Sequence, residues 1–200
     1  MTVSFSIARG EDAEDAKIDL SLQKVRYWFE NVVSKTIAIS QDNPTAFELL
    51  LDDDGNPHLA NHFLLCPDEP RDEMLATVFQ AKFNALSNGA IIVVAVDITT
   101  DNLNGLHFSI AGDHTAFLPA TMEDWLGDTS YFDVPWWARD DASTFDVYVM
   151  KEADKANKPS WAYSLDFLDK SKPAKAVEGA KVHAFKPVVI DGGMKGEPKK

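Results

Sequence analysis

Cysteine is almost absent from this chain, which has Cys66 as its one example among 200 residues. A single cysteine excludes an intrachain disulfide and argues strongly against a cysteine-based zinc site. We therefore expect the chain to work in a reducing compartment, the cytoplasm.

Long apolar runs are also lacking. The longest, residues 90–96, falls far short of the roughly 20 residues that a membrane helix needs. The first five residues carry no basic or long apolar segment, so a secretory signal is not expected. The net charge of −13 argues against adhesion to a membrane and against non-specific binding of duplex DNA by the bulk of the surface.

Motifs of known catalytic sites are missing. The sequence has no Gly-x-Ser-x-Gly, no P-loop and no Gly-x-Gly-x-x-Gly. Asp113 and His114 could form half of a general-base pair, and Asp97 and Asp101 could hold magnesium at a strand end. No nucleophile or Gly-rich partner accompanies them. We therefore expect His114 to be an ordinary surface residue of a loop, and Asp97 and Asp101 to cap the end of a strand. We therefore predict that the chain is not an enzyme and binds no cofactor.

The residues that could bind a metal do not have the spacing of a known metal site. The acidic run that begins at Asp52 lacks the EF-hand pattern, because its sixth and twelfth positions are Pro57 and Phe63. His58 and His62 have helical spacing, but their neighbours favour strand and turn. We expect a solvated hairpin turn and no metal site.

Alternating apolar residues predict several strands. Val3, Phe5 and Ile7 predict the first, with one wet face. The continuous apolar segment 90–98 predicts a strand buried on both faces, with the alternating segment 106–110 as its antiparallel partner. Segment 161–167 fits either a strand or a helix. Further strands are expected at 46–51, 59–66, 145–149 and 182–190.

Two amphipathic helices are predicted, at residues 19–35 and from Leu75 to Leu86, with Ser87-Asn88-Gly89 ending the second. A short helix is expected at 122–126. The sequence thus predicts an α+β fold, with a mostly antiparallel β-sheet, two main amphipathic helices and a flexible basic C-terminal tail. Residues 1–190 would form a single domain, and 191–200 a disordered tail.

Charge is distributed unevenly along the chain. Residues 1–150 carry 25 acidic and 8 basic side chains, whereas residues 151–200 carry 11 lysines, no arginine and 7 acids. A chain with its lysines at one end can hold a polyanion there while the rest repels it.

Aromatic residues accompany these lysines. Single-stranded nucleic acid is held by such a combination, because bases stack on flat rings while cations follow the phosphates. Lysine rather than arginine suits binding that does not depend on base sequence, because an ammonium is a point charge and lacks the forked donors that recognise guanine. Phe185 belongs to the same aromatic group. The predicted nucleic-acid-binding residues are Lys151, Lys155, Lys158, Trp161, Tyr163, Phe167, Lys170, Lys172, Lys175, Lys181, Lys186, Lys195, Lys199 and Lys200.

A second aromatic group lies among acids and would repel nucleic acid. We expect it to form either core or a protein-contact surface. Its members are Trp125, Tyr131, Phe132, Trp136 and Trp137.

With its small size, acidic body and aromatic, lysine-rich segment 151–200, the chain resembles early proteins of bacterial viruses. Among these it most resembles the single-stranded-DNA-binding cofactors of phage-encoded RNA polymerases. The resemblance implies binding to melted promoter DNA in the host cytoplasm, contact with the viral polymerase and assembly into a homo-oligomer. Its net negative charge departs from a simple DNA-coating protein and requires a local binding face.

Two other functions remain open. The acidic body could imitate phosphates and inhibit a nucleic-acid-processing protein. Alternatively, the sheet and the aromatic loop could seal subunit contacts in a virion structural protein. A catalytic role is the least supported.

Overall fold

A computed structural model describes residues 1–43, 45, 62–100, 106–127, 131–146, 159 and 161–170. The predicted α+β class is confirmed: the described residues form three α-helices, a three-stranded antiparallel sheet and a separate parallel pair of strands. Among the described residues, no helix combines the length and apolar composition needed to cross a bilayer.

The antiparallel sheet has the order β1-β4-β5, formed by β1 (Thr2–Arg9), β4 (Ile91–Thr100) and β5 (Leu106–Ala111). Thr2 of β1 lies opposite Thr99 of β4, and Ala95 of β4 lies opposite Ala111 of β5. A bulge between Ser6 and Ile7 shifts the β1 register. The predicted antiparallel pairing of the last two strands is confirmed.

The prediction that the 90–98 strand is buried on both faces was wrong. Val93 and Val96 are buried, but Ile92 and Val94 are 49% and 42% exposed. The reason is that α2 (Asp72–Ser87) packs on one face of β4, and no described element covers the other. Valine and isoleucine favour β-strands even where they are exposed, so the continuous apolar run did not require burial on both faces.

Helix α2 matches its prediction closely. Its interior is almost wholly buried, because it packs against β4 and β5 on one side and a loop containing Trp136 on the other. Asn88 adopts a left-handed conformation at its C-cap, with φ of 45°.

The first helix differs from the predicted 19–35. Helix α1 runs Asp15–Tyr27, followed by a π-helical turn, Trp28–Val32, and a 3₁₀ turn, Val33–Lys35. It begins four residues earlier than predicted, and Asp15 occupies its first turn, where negative charge is favourable. The short helix α3 (Met122–Leu126) is confirmed, and the Thr121 hydroxyl caps it by accepting from the Asp124 amide at 3.1 Å.

The parallel pair consists of β2 (Ile37–Ser40) and β3 (Phe63–Cys66). Strand β2 was not predicted, and only the end of the predicted 59–66 strand is described as β3. Segments 46–51, 147–149 and 182–190, the turn around Asp52 and His58, and the predicted tail 191–200 lie outside the described residues.

Close packing joins the end of β1 to the end of α2. The Gly10 amide donates to the carbonyl of Ala90 at 3.0 Å. A side chain at Gly10 would overlap the carbonyl oxygen of Gly89, so only glycine fits here.

Candidate nucleic-acid interface

Segment 161–170 supplies the exposed aromatic rings, and it is neither the predicted strand nor an α-helix. It begins in a turn, forms a single bridge between Ser164 and Asp141, and ends in a 3₁₀ turn, Asp166–Leu168. Its backbone is fixed by the Ala142 amide, which donates to the carbonyl of Tyr163 at 2.9 Å. A single bridge does not make this segment a β-strand. The alternation of apolar and polar residues that predicted a strand here instead comes from consecutive turns.

Trp161 does not belong to the interface, contrary to its prediction. Its side chain is 7% exposed and packs against Phe145, with ring centroids 4.3 Å apart, and against Phe132 at 5.9 Å. A buried ring offers no face on which a base could stack. Trp161 and the fully buried Leu165 instead anchor the segment to the core.

Tyr163 and Phe167 point outward, with exposures of 38% and 60%. Phe167 meets Tyr27 of α1 edge to face, with centroids 5.2 Å apart. Burial raises the pKa of Tyr163 to about 12, and its hydrogen bond with Tyr27 acts in the same direction. Three rings from two distant parts of the sequence therefore form one aromatic surface, composed of Tyr27, Tyr163 and Phe167.

Lys24 lies beside this aromatic surface, and two further lysines line a neighbouring cleft. Lys24 of α1 lies with its Nζ 3.3 Å from Asp166 Oδ1, at the edge of the 3₁₀ turn. Lys17 and Lys170 line an open cleft of about 500 Å³ between α1 and segment 168–170. The cleft also contains acids, Glu14, Asp19 and Asp169.

The described part of this surface therefore has mixed charge. Of the lysines predicted to contact nucleic acid, only Lys170 lies in the described part of the chain, where it is exposed. The others lie outside the described residues: Lys151, Lys155, Lys158, Lys172, Lys175, Lys181, Lys186, Lys195, Lys199 and Lys200. Phe185 does too.

Sequence reasoning missed the contribution of α1. Lys17, Lys24 and Tyr27 follow at steps of seven and three, so they share one side of the helix. That spacing was visible in the sequence. What it could not show is that segment 161–170, more than a hundred residues away, packs beside it.

A buried cluster of charges holds the loop that supports this surface. Lys82 of α2 is fully buried and donates to the carbonyls of Trp136 and Arg139, each at 2.8 Å. Arg139 Nε lies 3.1 Å from Asp141 Oδ2, and its Nη1 lies 2.7 Å from Asp146 Oδ1. This charge cluster, Lys82, Arg139, Asp141 and Asp146, links α2 to the loop that pairs with Ser164.

Burial dominates the titration of two members of this charge cluster, Lys82 and Asp146. It lowers the pKa of Lys82 to about 7 and raises the pKa of Asp146 to about 7. Burial also acts to raise the pKa of Asp141, but the charges of Lys82 and Arg139 outweigh it and hold that pKa below its ordinary value. Asp141 is thus the anion that stabilises the two buried cations.

The second aromatic group belongs mainly to the core. Trp136 is fully buried, and its Nε1 donates to the carbonyl of Leu65 at 2.9 Å. Trp125 and Trp137 are buried against each other, with centroids 4.4 Å apart. Of the two expectations for this group, core holds for its three tryptophans.

The other candidate residues make structural contacts. Asp113 accepts from the hydroxyl and amide of Thr115, and these bonds hold its pKa below the usual value. His114 Nε2 lies 3.2 Å from the carbonyl of Ala111, and Asp97 pairs with His107 at 3.2 Å. Asp101 lies outside the described residues. Across those residues, no group of three or more His, Cys, Asp or Glu side chains is arranged to hold a metal.

Comparison with protein-family models, curated proteins and solved structures gives no match for this chain.

Proposed function

We propose that this chain is a non-enzymatic single-stranded-DNA-binding protein that uses the aromatic surface of Tyr27, Tyr163 and Phe167. The observation that carries the proposal is the exposure of Phe167 and Tyr163 on one face. Exposed rings near lysines suit stacking of bases, while ammonium groups follow the phosphates. Trp161 has no part in the revised site.

The positive charge for this interface comes mostly from the sequence that follows it. Segment 171–200 carries seven lysines and three acids, and it continues directly from Lys170. Those lysines follow the aromatic residue Phe167 in sequence, so they can supply cations to a strand stacked on the aromatic surface. The acidic body repels nucleic acid elsewhere, which restricts binding to this face.

Binding of a labelled oligothymidylate, followed by fluorescence anisotropy, tests the proposal. Phe167→Ala should weaken affinity by about 5- to 150-fold, corresponding to roughly 1–3 kcal/mol for one stacked base. Phe117→Ala is the matched control, because that ring is 80% exposed and lies outside the aromatic surface. Circular dichroism should show both variants folded.

The proposal fails if the wild-type chain does not bind the oligonucleotide, or if the Phe117 and Phe167 variants lose affinity equally. The first result would leave the acidic body as the better candidate for function. The second would show that the loss does not come from stacking at Phe167.

The proposal extends to a role as a transcription cofactor of a bacterial virus that engages melted promoter DNA and a viral RNA polymerase. Its support is the combination of an acidic body with an aromatic, lysine-rich end. A duplex with a central unpaired stretch should bind more tightly than the same duplex fully paired. Equal affinity for the two would contradict this role.

A further inference from the structure

Strand β1 lies at an edge of the antiparallel sheet. It pairs with β4 on one side, and no described element pairs with its other side. Residues 2–8 contain no charged residue, proline or glycine, the usual devices that prevent edge pairing. Among the described residues, the N–H and C=O groups on the outer side of this eight-residue strand of about 26 Å have no strand partner, and the one charged residue of the strand is Arg9 at its end.

An apolar groove of about 670 Å³ runs beside this edge. Val3 and Phe5 of β1 line it together with Leu22 and Phe29 of the first helical segment and with Phe79 and Phe83 of α2. Phe5 packs on Phe29 with centroids 5.4 Å apart, while Leu22 keeps 39% of its surface exposed. An uncharged edge and an apolar groove together suit a partner that brings both a strand and an apolar helix face.

The groove carries one charge of each sign, Arg26 and Glu30, which are four residues apart on the same side of the helical segment. The chain as a whole has a net charge of −13, so most of its surface repels a second copy. The charges of Arg26 and Glu30 cancel within the groove. In a second copy related by a twofold axis the order of the two charges is reversed, so each charge can face its opposite. This complementarity points to the chain itself as the partner.

We propose that two copies of the chain associate through this groove, with their β1 strands pairing antiparallel about a twofold axis. The two sheets then become one sheet of six strands. Both α1 helices lie on the same face of it and run in opposite directions. Arg26 of one copy faces Glu30 of the partner subunit, and both grooves are covered at once. The inference does not depend on nucleic-acid binding.

Light scattering of the full-length chain after size-exclusion chromatography tests the proposal. The wild-type chain should show twice its mass of 22.1 kDa. Leu22→Glu should give the monomer, because it places a carboxylate in the apolar groove. Phe117→Glu is the control, since it changes an equally apolar exposed residue outside the groove and should leave the dimer intact.

A charge exchange makes the test specific for self-association. Arg26→Glu should shift the equilibrium toward monomer, because acids would then face acids across the axis. Arg26→Glu combined with Glu30→Arg should restore the dimer, since the exchange preserves complementarity between identical copies. Failure of this rescue in a folded double variant would overturn the proposed pairing.

Engineered cysteines can define the strand register. If Phe5 meets its own copy at the axis, Ser4 lies opposite Ser6 of the partner subunit. A mixture of Ser4→Cys and Ser6→Cys chains should then form a disulfide-linked dimer under mild oxidation. Cys66 should not interfere, because burial raises its pKa to about 12. A monomeric wild-type chain, or a dimer indifferent to Leu22→Glu, would refute the inference.

Discussion

Lys82 Nζ lies 3.5 Å from Asp141 Oδ1, and both side chains are almost completely excluded from water. The two residues belong to different parts of the fold, helix α2 and the loop that follows Trp136. The backbone of Asp141 also bridges Ser164, next to the exposed ring of Tyr163. A buried ion pair thus connects the most buried helix to the segment that carries the candidate interface.

Replacement of Asp141 should destabilise the protein severely. Asp141→Ala leaves Lys82 and Arg139 buried without their shared anion, and removal of one partner from a buried ion pair costs about 3–5 kcal/mol. Urea unfolding monitored by circular dichroism measures the change. Asp140→Ala, at the exposed neighbouring position, should change the free energy of unfolding by less than about 0.5 kcal/mol. Equal effects at the two positions would contradict the importance of the pair.

Lys82 should make stability increase with pH above neutrality. Its pKa falls from 10.5 in water to about 7 in the folded chain. Between these values the unfolded chain binds a proton that the folded chain lacks, so the free energy of unfolding rises with pH. The rise from this one group is on the order of 1 kcal/mol per pH unit.

Asp146 should have the opposite effect on the free energy of unfolding, which it lowers as pH rises through the acidic range. Its pKa rises from 3.8 to about 7, so the folded chain holds the extra proton there and stability falls as pH rises toward neutrality. Lys82→Met should abolish the alkaline rise and retain the acidic fall, as measured by urea unfolding across this pH range. An unchanged alkaline rise in Lys82→Met would show that another group causes it.

The sequence predicted those elements whose signals are local. Helix α2 was found because its apolar period, its acidic first turn and its Asn88 cap agree. Strand β2 was missed because it has four residues, begins with the 66% exposed Ile37, and is defined by a parallel partner distant in sequence. Pairing between distant segments has no signature within either segment alone.

The candidate interface was only partly predictable for a related reason. Tyr163 and Phe167 were identified from composition, but the same composition included the buried Trp161. Lys82 was not singled out, although Val78 and Leu86 place it on the apolar side of α2 at steps of four. Lysine is rarely buried without a partner, and its partners here are about sixty residues further along the chain.

Trp161→Ala should unfold the protein or destabilise it by about 3–5 kcal/mol, because it removes a large ring from the core. Thermal unfolding by calorimetry measures this loss. Tyr163→Ala is the control, since that ring is more than one-third exposed and should cost much less. A Trp161→Ala chain of normal stability but reduced affinity for oligonucleotide would return Trp161 to the interface.

Lysines at the start of the C-terminal segment should determine the salt dependence of binding. Each phosphate contact on a single strand contributes a slope of about −0.7 to the plot of log affinity against log salt concentration. Lys170→Gln with Lys172→Gln and Lys175→Gln should therefore flatten that slope by about 2 and weaken binding most at low salt. Fluorescence anisotropy of labelled oligothymidylate in a salt series provides the measurement.

A number-matched variant separates this local effect from a change in net charge. Arg9→Gln, Lys35→Gln and Arg71→Gln remove three exposed cations from other parts of the described surface. This variant has the same net charge as the lysine variant, but it should retain the wild-type slope, because these cations lie outside the proposed interface. If both variants flatten the slope equally, binding responds to total charge, and the lysines that follow the aromatic surface have no special part in it.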